Sequence, residues 1–312
     1  MKVLVTGAAG SVGAKLVEHL ARSDDVDGIV ALDRLPVSAS SPKVVAFQRD
    51  IREPISDILR EHDIDAVVHL AFLLRPGHNR ELARGVNVGG TAQVLHDCRV
   101  AGVQRFVYLS STTVYGARPG AEQPYTEESP VRPVRGFQYA EDKAATELML
   151  KAFAADNPGA CVTVLRGCTV ITPRCENFIT QVFFRMALVR IAGADPQMQF
   201  IHLDDLLEVL KLCLLRPAPG VFNVTGDGTV ARSEIARVAG RRPVALPAPL
   251  LAFITQVTWM LRLQSDSPAC GLAMARWPWV ASNDKLARET GFRPRYTSRE
   301  ALMNSALVAN SD

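Results

Sequence analysis

Lys2-Val3-Leu4-Val5-Thr6-Gly7-Ala8-Ala9-Gly10-Ser11-Val12-Gly13 is the stretch that decides how the rest of the chain is read. Lys2–Thr6 is a short apolar run ending at glycine and reads as a strand. Ala14–Arg22, behind the last glycine, reads as a helix. Gly7, Gly10 and Gly13, with Ser11 and Val12 among them, therefore fall on the turn between strand and helix. Glycines there let the backbone approach a pyrophosphate, and the helix N-terminus offers N–H groups and partial positive charge to an anion. The spacing is G-x-x-G-x-x-G, which a plain strand–helix turn also uses, so context must separate the two readings.

The context is repetitive. Gly28–Leu32, Val44–Gln48, Ala66–Leu70, Arg105–Leu109 and Cys161–Arg166 are further short apolar runs, most of them separated by helix-compatible sequence. Continuous apolar strands alternating with helices predict an α/β fold, a doubly wound parallel sheet of Rossmann type whose ligands lie at the strands' carboxyl ends. The second run ends in Asp33, 20 residues beyond Gly13. An acid at that distance reaches the adenosine ribose hydroxyls and repels a 2′-phosphate, which points to NAD. Arg34 beside it is able to accept a 2′-phosphate, so NADP stays open. Asp50 and Ile51, after the third run, are placed to grip the adenine, although Asp50 also reads as a helix N-cap. Leu70 and Ala71 would pass under the dinucleotide, and His69 reads as a core histidine.

Past residue 170 the alternation breaks up and proline and tryptophan become frequent. The expected division is a dinucleotide-binding domain with the catalytic helix over 1–170 and a smaller, mainly substrate-binding lobe over 171–312. Short elements of that lobe return to the sheet: Gln199–Leu203 and Val221–Val224 read as strands and Asp204–Leu215 as a helix.

Composition excludes several classes. With 312 residues, 48% of them apolar, and a net charge of +3, the chain is neither disordered nor a polyanion binder, so no nucleic-acid partner is expected. Six cysteines form no C-x-x-C pair and share no ligand spacing with the histidines, so no metal site is expected and the thiols read as reduced. The N-terminus enters a strand at once without a signal-peptide pattern, and the expected location is cytoplasmic. Pro249–Leu261 is uncharged but 13 residues long, against about 20 needed to span a bilayer. It reads as a helix packed in the C-terminal lobe, without stable membrane insertion; the alternatives are a membrane contact or a cover over a greasy substrate.

Tyr139-Ala140-Glu141-Asp142-Lys143 sets a phenol and an ammonium one helical turn apart. Such a charge favours phenolate and suits the tyrosine to acid–base work, while the bland alternative is an exposed helix pair. Upstream, the fifth run leads into Ser110-Ser111-Thr112-Thr113-Val114-Tyr115-Gly116. Its hydroxyls face the crevice at a strand's carboxyl end, or simply build a turn.

Together, the glycine turn, Asp33, Asp50, the Ser-Ser-x-x-Val-Tyr-Gly run and Tyr139-x-x-x-Lys143 resemble the extended short-chain dehydrogenases/reductases, the NAD-dependent epimerase/dehydratase family. The segments Gln199–Asp205, Phe222–Val224 and Asp284–Pro294 extend the resemblance over nearly the whole chain. It implies that Tyr139 exchanges a proton with the substrate oxygen and that Ser111 hydrogen-bonds the same oxygen. It also implies that Lys143 holds the nicotinamide ribose and depresses the Tyr139 pKa, and that Asn87 contributes to the cofactor site. A homodimer through Ala92–Val100 and Asp142–Phe153 is implied as well.

Departures from the family pattern narrow the chemistry. Thr112-Thr113 stands where dehydratases carry an Asp-Glu pair for removing water. Thr169 and Met198 stand where nucleotide-sugar members carry Asn and Arg, although Arg174, Arg185 or Arg190 are available to compensate. Phe72-Leu73-Leu74 hints at an apolar pocket. The leading expectation is an NAD-dependent dehydrogenase/reductase acting on a secondary alcohol or ketone of a non-nucleotide, hydrophobic small molecule. The alternatives are an NAD-dependent sugar epimerase and a non-catalytic nucleotide-binding regulator.

Overall fold

The computed structural model describes residues 1–39, 41–75, 77–171, 189–238, 240 and 242–309. Arg174 and Arg185 lie outside the described residues. Seven strands form the central sheet: β1 (Lys2–Thr6), β2 (Gly28–Asp33), β3 (Val44–Gln48), β4 (Ala66–His69), β5 (Arg105–Ser111), β6 (Cys161–Gly167) and β7 (Gly220–Val224). Their order is β7-β6-β5-β4-β1-β2-β3, and β1–β2, β2–β3, β1–β4 and β4–β5 pair in parallel. The strand order reverses between β1 and β4, which is where an open α/β sheet leaves its ligand crevice.

Burial explains the arrangement. Every residue of β4 is buried, as are the last four of β1, because helices cover both faces. The edge strand β3 is mostly exposed. The helices of this part are α1 (Ser11–Ala21), α2 (Ser56–Glu61), α3 (Arg80–Arg84), α4 (Thr91–Ala101) and α5 (Gln138–Asp156). Val94, Leu95 and Cys98 of α4, Ile58 and Leu59 of α2 and Leu150 of α5 pack against Leu4, Leu32, Val67, Phe106 and Val164 of the sheet. Each such aliphatic side chain stabilises the fold by about 1.5–3 kcal/mol through burial.

The chain forms two compact units, neither continuous in sequence. The first comprises Met1–Ser110, Asp142–Leu165 and Leu207–Val221; the second comprises Ser111–Glu141, Arg166–Leu206 and Phe222–Asp312. No single cut near residue 170 separates them. In the second unit Ser298 is fully buried, its hydroxyl 3.1–3.2 Å from the carbonyls of Phe200, Gly226 and Gly228. Asp205, also fully buried, accepts from Tyr296 N at 3.1 Å and Arg295 Nε at 3.2 Å. The expected helix over 204–215 is α6 (Leu203–Leu215), and the expected strand over 199–203 is the shorter Phe200–His202.

One expectation holds only in part. The helix read within 249–261 exists, as Ala248–Met260, but it buries none of its residues. It packs on the following Ala269–Leu272 turn, as a helix of the C-terminal lobe, but only to half-burial.

Candidate active site

The glycine turn is built as tightly as its sequence demands. Gly7 has φ +73°, and a Cβ there would lie 2.6 Å from Ala71 N and 2.7 Å from Leu70 C. A Cβ on Gly13 would lie 2.1 Å from Gly7 O. Side chains at either position would push α1 and the end of β4 away from the turn. Gly10 N donates to Gly7 O at 3.0 Å, and Gly10 and Ser11 are exposed. No side chain caps α1, so its first-turn N–H groups around Ser11, Val12 and Gly13 keep the anion-binding character of a helix start.

Asp33 closes the turn from β2. Its Oδ2 accepts from Ala9 N at 3.0 Å and its Oδ1 from Leu35 N at 2.9 Å, so the carboxylate is fixed at the glycine turn with lone pairs to spare. Arg34 is exposed, and its carbonyl accepts from Gln48 Nε2 at 3.1 Å. Arg49 N donates to Asp33 O at 2.9 Å, which brings the segment after β3 alongside. There Asp50 is no helix N-cap, since α2 starts at Ser56. It accepts from Arg52 N and forms a two-pronged pair with the Arg52 guanidinium at 2.7 and 3.0 Å, and that hydrogen bond holds its carboxyl below the usual range. Ile51 is spent on the core: it is 4% exposed, and its Cδ1 would meet a Cβ on Gly90 at 2.6 Å. Any contact it makes with an adenine falls to its main chain.

Asn87 sits on a π-turn, Gly85–Gly90, between α3 and α4. Its Oδ1 accepts from Leu73 N at 2.7 Å, and its Nδ2 donates to Leu73 O at 3.3 Å and Asp142 Oδ2 at 3.2 Å. Both amide hydrogens are thus used within the protein, and the side chain acts as a clasp rather than as a donor to cofactor. Asp142, fully buried on α5, also accepts from Arg84 Nη1 at 3.0 Å. Spacing alone did not reveal this Arg84–Asp142–Asn87 cluster. Its one visible signal is an acid wedged between Tyr139 and Lys143.

Lys143 is buried on α5 and donates to Leu109 O at 2.6 Å. Its ammonium lies 3.7 Å from the centre of the Phe72 ring and 4.6 Å from that of Tyr108. Burial pulls its pKa down to about 7, while Glu147, one turn further along α5, pulls it up. Glu147 is itself held by the Ser110 hydroxyl at 2.5 Å. Phe72 is therefore a platform for Lys143, and Leu73 is held through its backbone. His69, read as a core residue, is fully buried between the hydroxyls of Thr6 at 2.7 Å and Thr91 at 3.0 Å, and burial drives its pKa down to about 3. It is a neutral structural imidazole.

In the second unit, β5 delivers Ser111, 6% exposed, to a hydrogen bond with the Tyr139 phenol. Ser111 Oγ also accepts from Thr113 Oγ1 at 3.1 Å and Thr113 N at 3.3 Å. The result is a hydroxyl chain, Thr113 to Ser111 to Tyr139. The sequence places Thr113 among the hydroxyls of this run without showing that it backs Ser111. The Tyr139 pKa departs from expectation: burial raises it, and only the Ser111 hydroxyl opposes that rise. The Lys143 ammonium is engaged by the Leu109 carbonyl and the Phe72 ring instead. Along α5, Tyr139 and Lys143 stand one turn apart. Thr169 and Met198 are both buried in short strands, Thr169–Ile171 and Gln197–Met198. Arg190 lies on the strand Val189–Ile191 and is half-buried.

Residues 3–225 match the NAD dependent epimerase/dehydratase family. The chain belongs to this family. An uncharacterized protein of Mycobacterium tuberculosis is 28% identical over 312 residues, covering 96% of this chain and 82% of the relative. The UDP-glucose 4-epimerase of Streptomyces lividans is 33% identical over 282 residues, 80% of this chain and 82% of the enzyme. Among solved structures, MoeE5 in complex with UDP-glucose and NAD superposes with a TM-score of 0.77 at 28% identity, covering 100% of this chain and 99% of MoeE5. Among the described residues no helix is long and apolar enough to cross a membrane, and no cluster of His, Cys, Asp and Glu could hold a metal ion.

Proposed function

We propose that this family member binds NAD and uses Ser111, Tyr139 and Lys143 to interconvert a secondary alcohol and a ketone. The observation that carries the reading is the hydroxyl chain ending on Tyr139, with Lys143 one turn along the same helix. The residues fit the cofactor. The uncapped α1 start suits a pyrophosphate, Gly7 and Gly13 leave no room for side chains, and Asp33 offers carboxylate lone pairs to ribose hydroxyls. When bound, NAD supplies the acceptor or donor of the hydride. Tyr139 gives or takes the proton at the substrate oxygen. Ser111 hydrogen-bonds that oxygen and, with Thr113 behind it, replaces the solvent that burial removes. Lys143 is the group we assign to the nicotinamide ribose.

The substrate we propose is a non-nucleotide, apolar alcohol or ketone, because threonine and methionine stand at 169 and 198 and offer no charge to a diphosphate. Epimerisation of a nucleotide sugar by the same residues is the second reading, favoured by the likeness to the Streptomyces lividans enzyme. Thr112-Thr113 provides no acid for removing water, which weighs against a dehydratase. We further propose a homodimer through α4 and α5, which carry Val100 at 44% and Leu148 at 70% exposure, and a cytoplasmic location in keeping with free thiols at Cys98, Cys168 and Cys213.

The test is the nucleotide content of the freshly purified protein, released by denaturation, followed by incubation with UDP-glucose. An empty site that takes up NAD reversibly and no turnover of the sugar nucleotide supports the dehydrogenase. Retained NAD at about one per chain with isomer interconversion and no net NADH establishes the epimerase instead.

A further inference from the structure

The helix Ala248–Met260, here α7, carries an exposed apolar face. On a wheel at 100° per residue, Leu250, Phe253, Ile254, Val257, Met260 and Leu261 fall on one face. That face looks outward: Leu250 is 46% exposed, Phe253 66%, Ile254 40%, Met260 71% and Leu261 63%. The other side is half-buried, with Leu251, Thr255 and Trp259, and it holds the segment that follows. Gln256 Oε1 accepts from Ala269 N at 3.2 Å, and Thr255 O accepts from Gln264 Nε2 at 3.3 Å. Helices of soluble proteins normally show the opposite polarity.

The turn after α7 extends the apolar face. Leu263 N reaches back to Thr258 O at 2.8 Å and Arg262 N to Trp259 O at 3.0 Å, with Arg262 at φ +57°. This closure holds Leu263 out at 72% exposure beside Met260 and Leu261, with exposed Arg262 between them. The turn also carries charge, with the exposed Arg262 set between Leu261 and Leu263 and the exposed Asp266 four residues further on.

We propose that α7 and the Met260–Leu263 turn dock the protein on an anionic lipid surface. The helix would lie in the plane of the interface, its apolar face in the acyl boundary and Arg262 among the lipid phosphates. A short helix suffices for this, since the segment lies on the bilayer and does not cross it. Charge argues for lipid over a second copy of the chain. A two-fold contact centred on this turn would bring Arg262 against its own counterpart, whereas anionic head groups complement it. The proposal is independent of the reaction assigned above.

Co-flotation of the full chain with vesicles tests it, using phosphatidylcholine alone and phosphatidylcholine with phosphatidylglycerol. Binding should be at least about tenfold stronger to the anionic vesicles and should weaken as salt rises. Phe253→Asp and Leu263→Asp should each abolish flotation, and Arg262→Ala should lower it about fivefold, the value of one basic side chain at such a surface. All three positions are exposed, and unchanged melting curves verify that each variant folds. Absence of flotation with both vesicle types overturns the proposal, as does flotation that Phe253→Asp leaves intact. So does a soluble dimer, seen by light scattering, that Phe253→Asp splits into monomers and that ignores vesicles.

Discussion

Lys143 is buried and Tyr139 half-buried on one helix, and desolvation acts on them in opposite senses. It raises the phenol's pKa and lowers the ammonium's to about 7. A phenol held protonated at neutral pH is ready to act as an acid, so ketone reduction should proceed near pH 7. Alcohol oxidation needs the phenolate and should accelerate with rising pH well into the alkaline range, read from initial rates in both directions. Tyr139→Phe should lower the rate about 10²–10⁴-fold while NAD binding, followed by fluorescence, persists. Equal loss of binding would assign the tyrosine to the cofactor pocket alone. Lys143 carries a stability signature. Its folded pKa lies below the ordinary 10.5, so its charged form destabilises the fold fully below about pH 7, and that cost fades as pH approaches 10.5. Relative to Lys143→Met, the wild type should therefore gain stability between pH 7 and 10, at up to about 1.4 kcal/mol per pH unit. A difference in urea unfolding free energy that stays flat across that range would mean that the ammonium is not desolvated.

The π-turn between α3 and α4 is the element on which α5 is hung. Asn87 satisfies both main-chain groups of Leu73 and reaches Asp142 on α5. Asn87→Ala would strand three buried or part-buried polar groups, each costing about 1–3 kcal/mol when unpaired, with water able to relieve some of them. We expect a loss of about 2–4 kcal/mol in urea unfolding, together with a fall in kcat larger than the rise in KM for NAD. A pure KM effect would return Asn87 to the cofactor site. Of these elements the sequence disclosed the strands almost to the residue, since continuous apolar runs ending at Gly7, Asp33 and Gln48 have few other solutions. The clasp was not legible because it joins positions 73, 84, 87 and 142, whose proximity depends on how α3, the π-turn and α5 pack. The Thr113 link to Ser111 hid for a different reason: a threonine in a Ser/Thr-rich turn has several local partners, and only coordinates choose among them. The Ala248–Met260 helix was legible as a helix but not as an exposed one, because an apolar segment does not say which way its face will turn.

At the scale of the whole molecule, stability and cofactor choice are linked, since a ligand that binds only the folded chain raises its melting temperature by mass action. The family is NAD dependent, and Asp33 is the residue whose charge argues for NAD over its 2′-phosphorylated form. The carboxylate is locked by Ala9 N and Leu35 N, so it cannot swing aside to admit a phosphate without releasing the glycine turn. Arg34, exposed and carrying no such tether on its guanidinium, offers the opposing attraction. NAD at a hundredfold excess over its Kd should stabilise the protein by about 2.7 kcal/mol, a melting shift of several degrees. NADP at the same concentration should give a clearly smaller shift. Asp33→Asn keeps one acceptor but sets its amide nitrogen against the N–H of Ala9 or Leu35, so it should narrow the gap between the two nucleotides and lower the unliganded melting temperature only modestly. Equal shifts from NAD and NADP in the wild type would mean that Arg34 sets the preference. A large drop in the unliganded melting temperature of Asp33→Asn would mean that the carboxylate's main task is to hold the glycine turn, with discrimination between the nucleotides a consequence of that architecture.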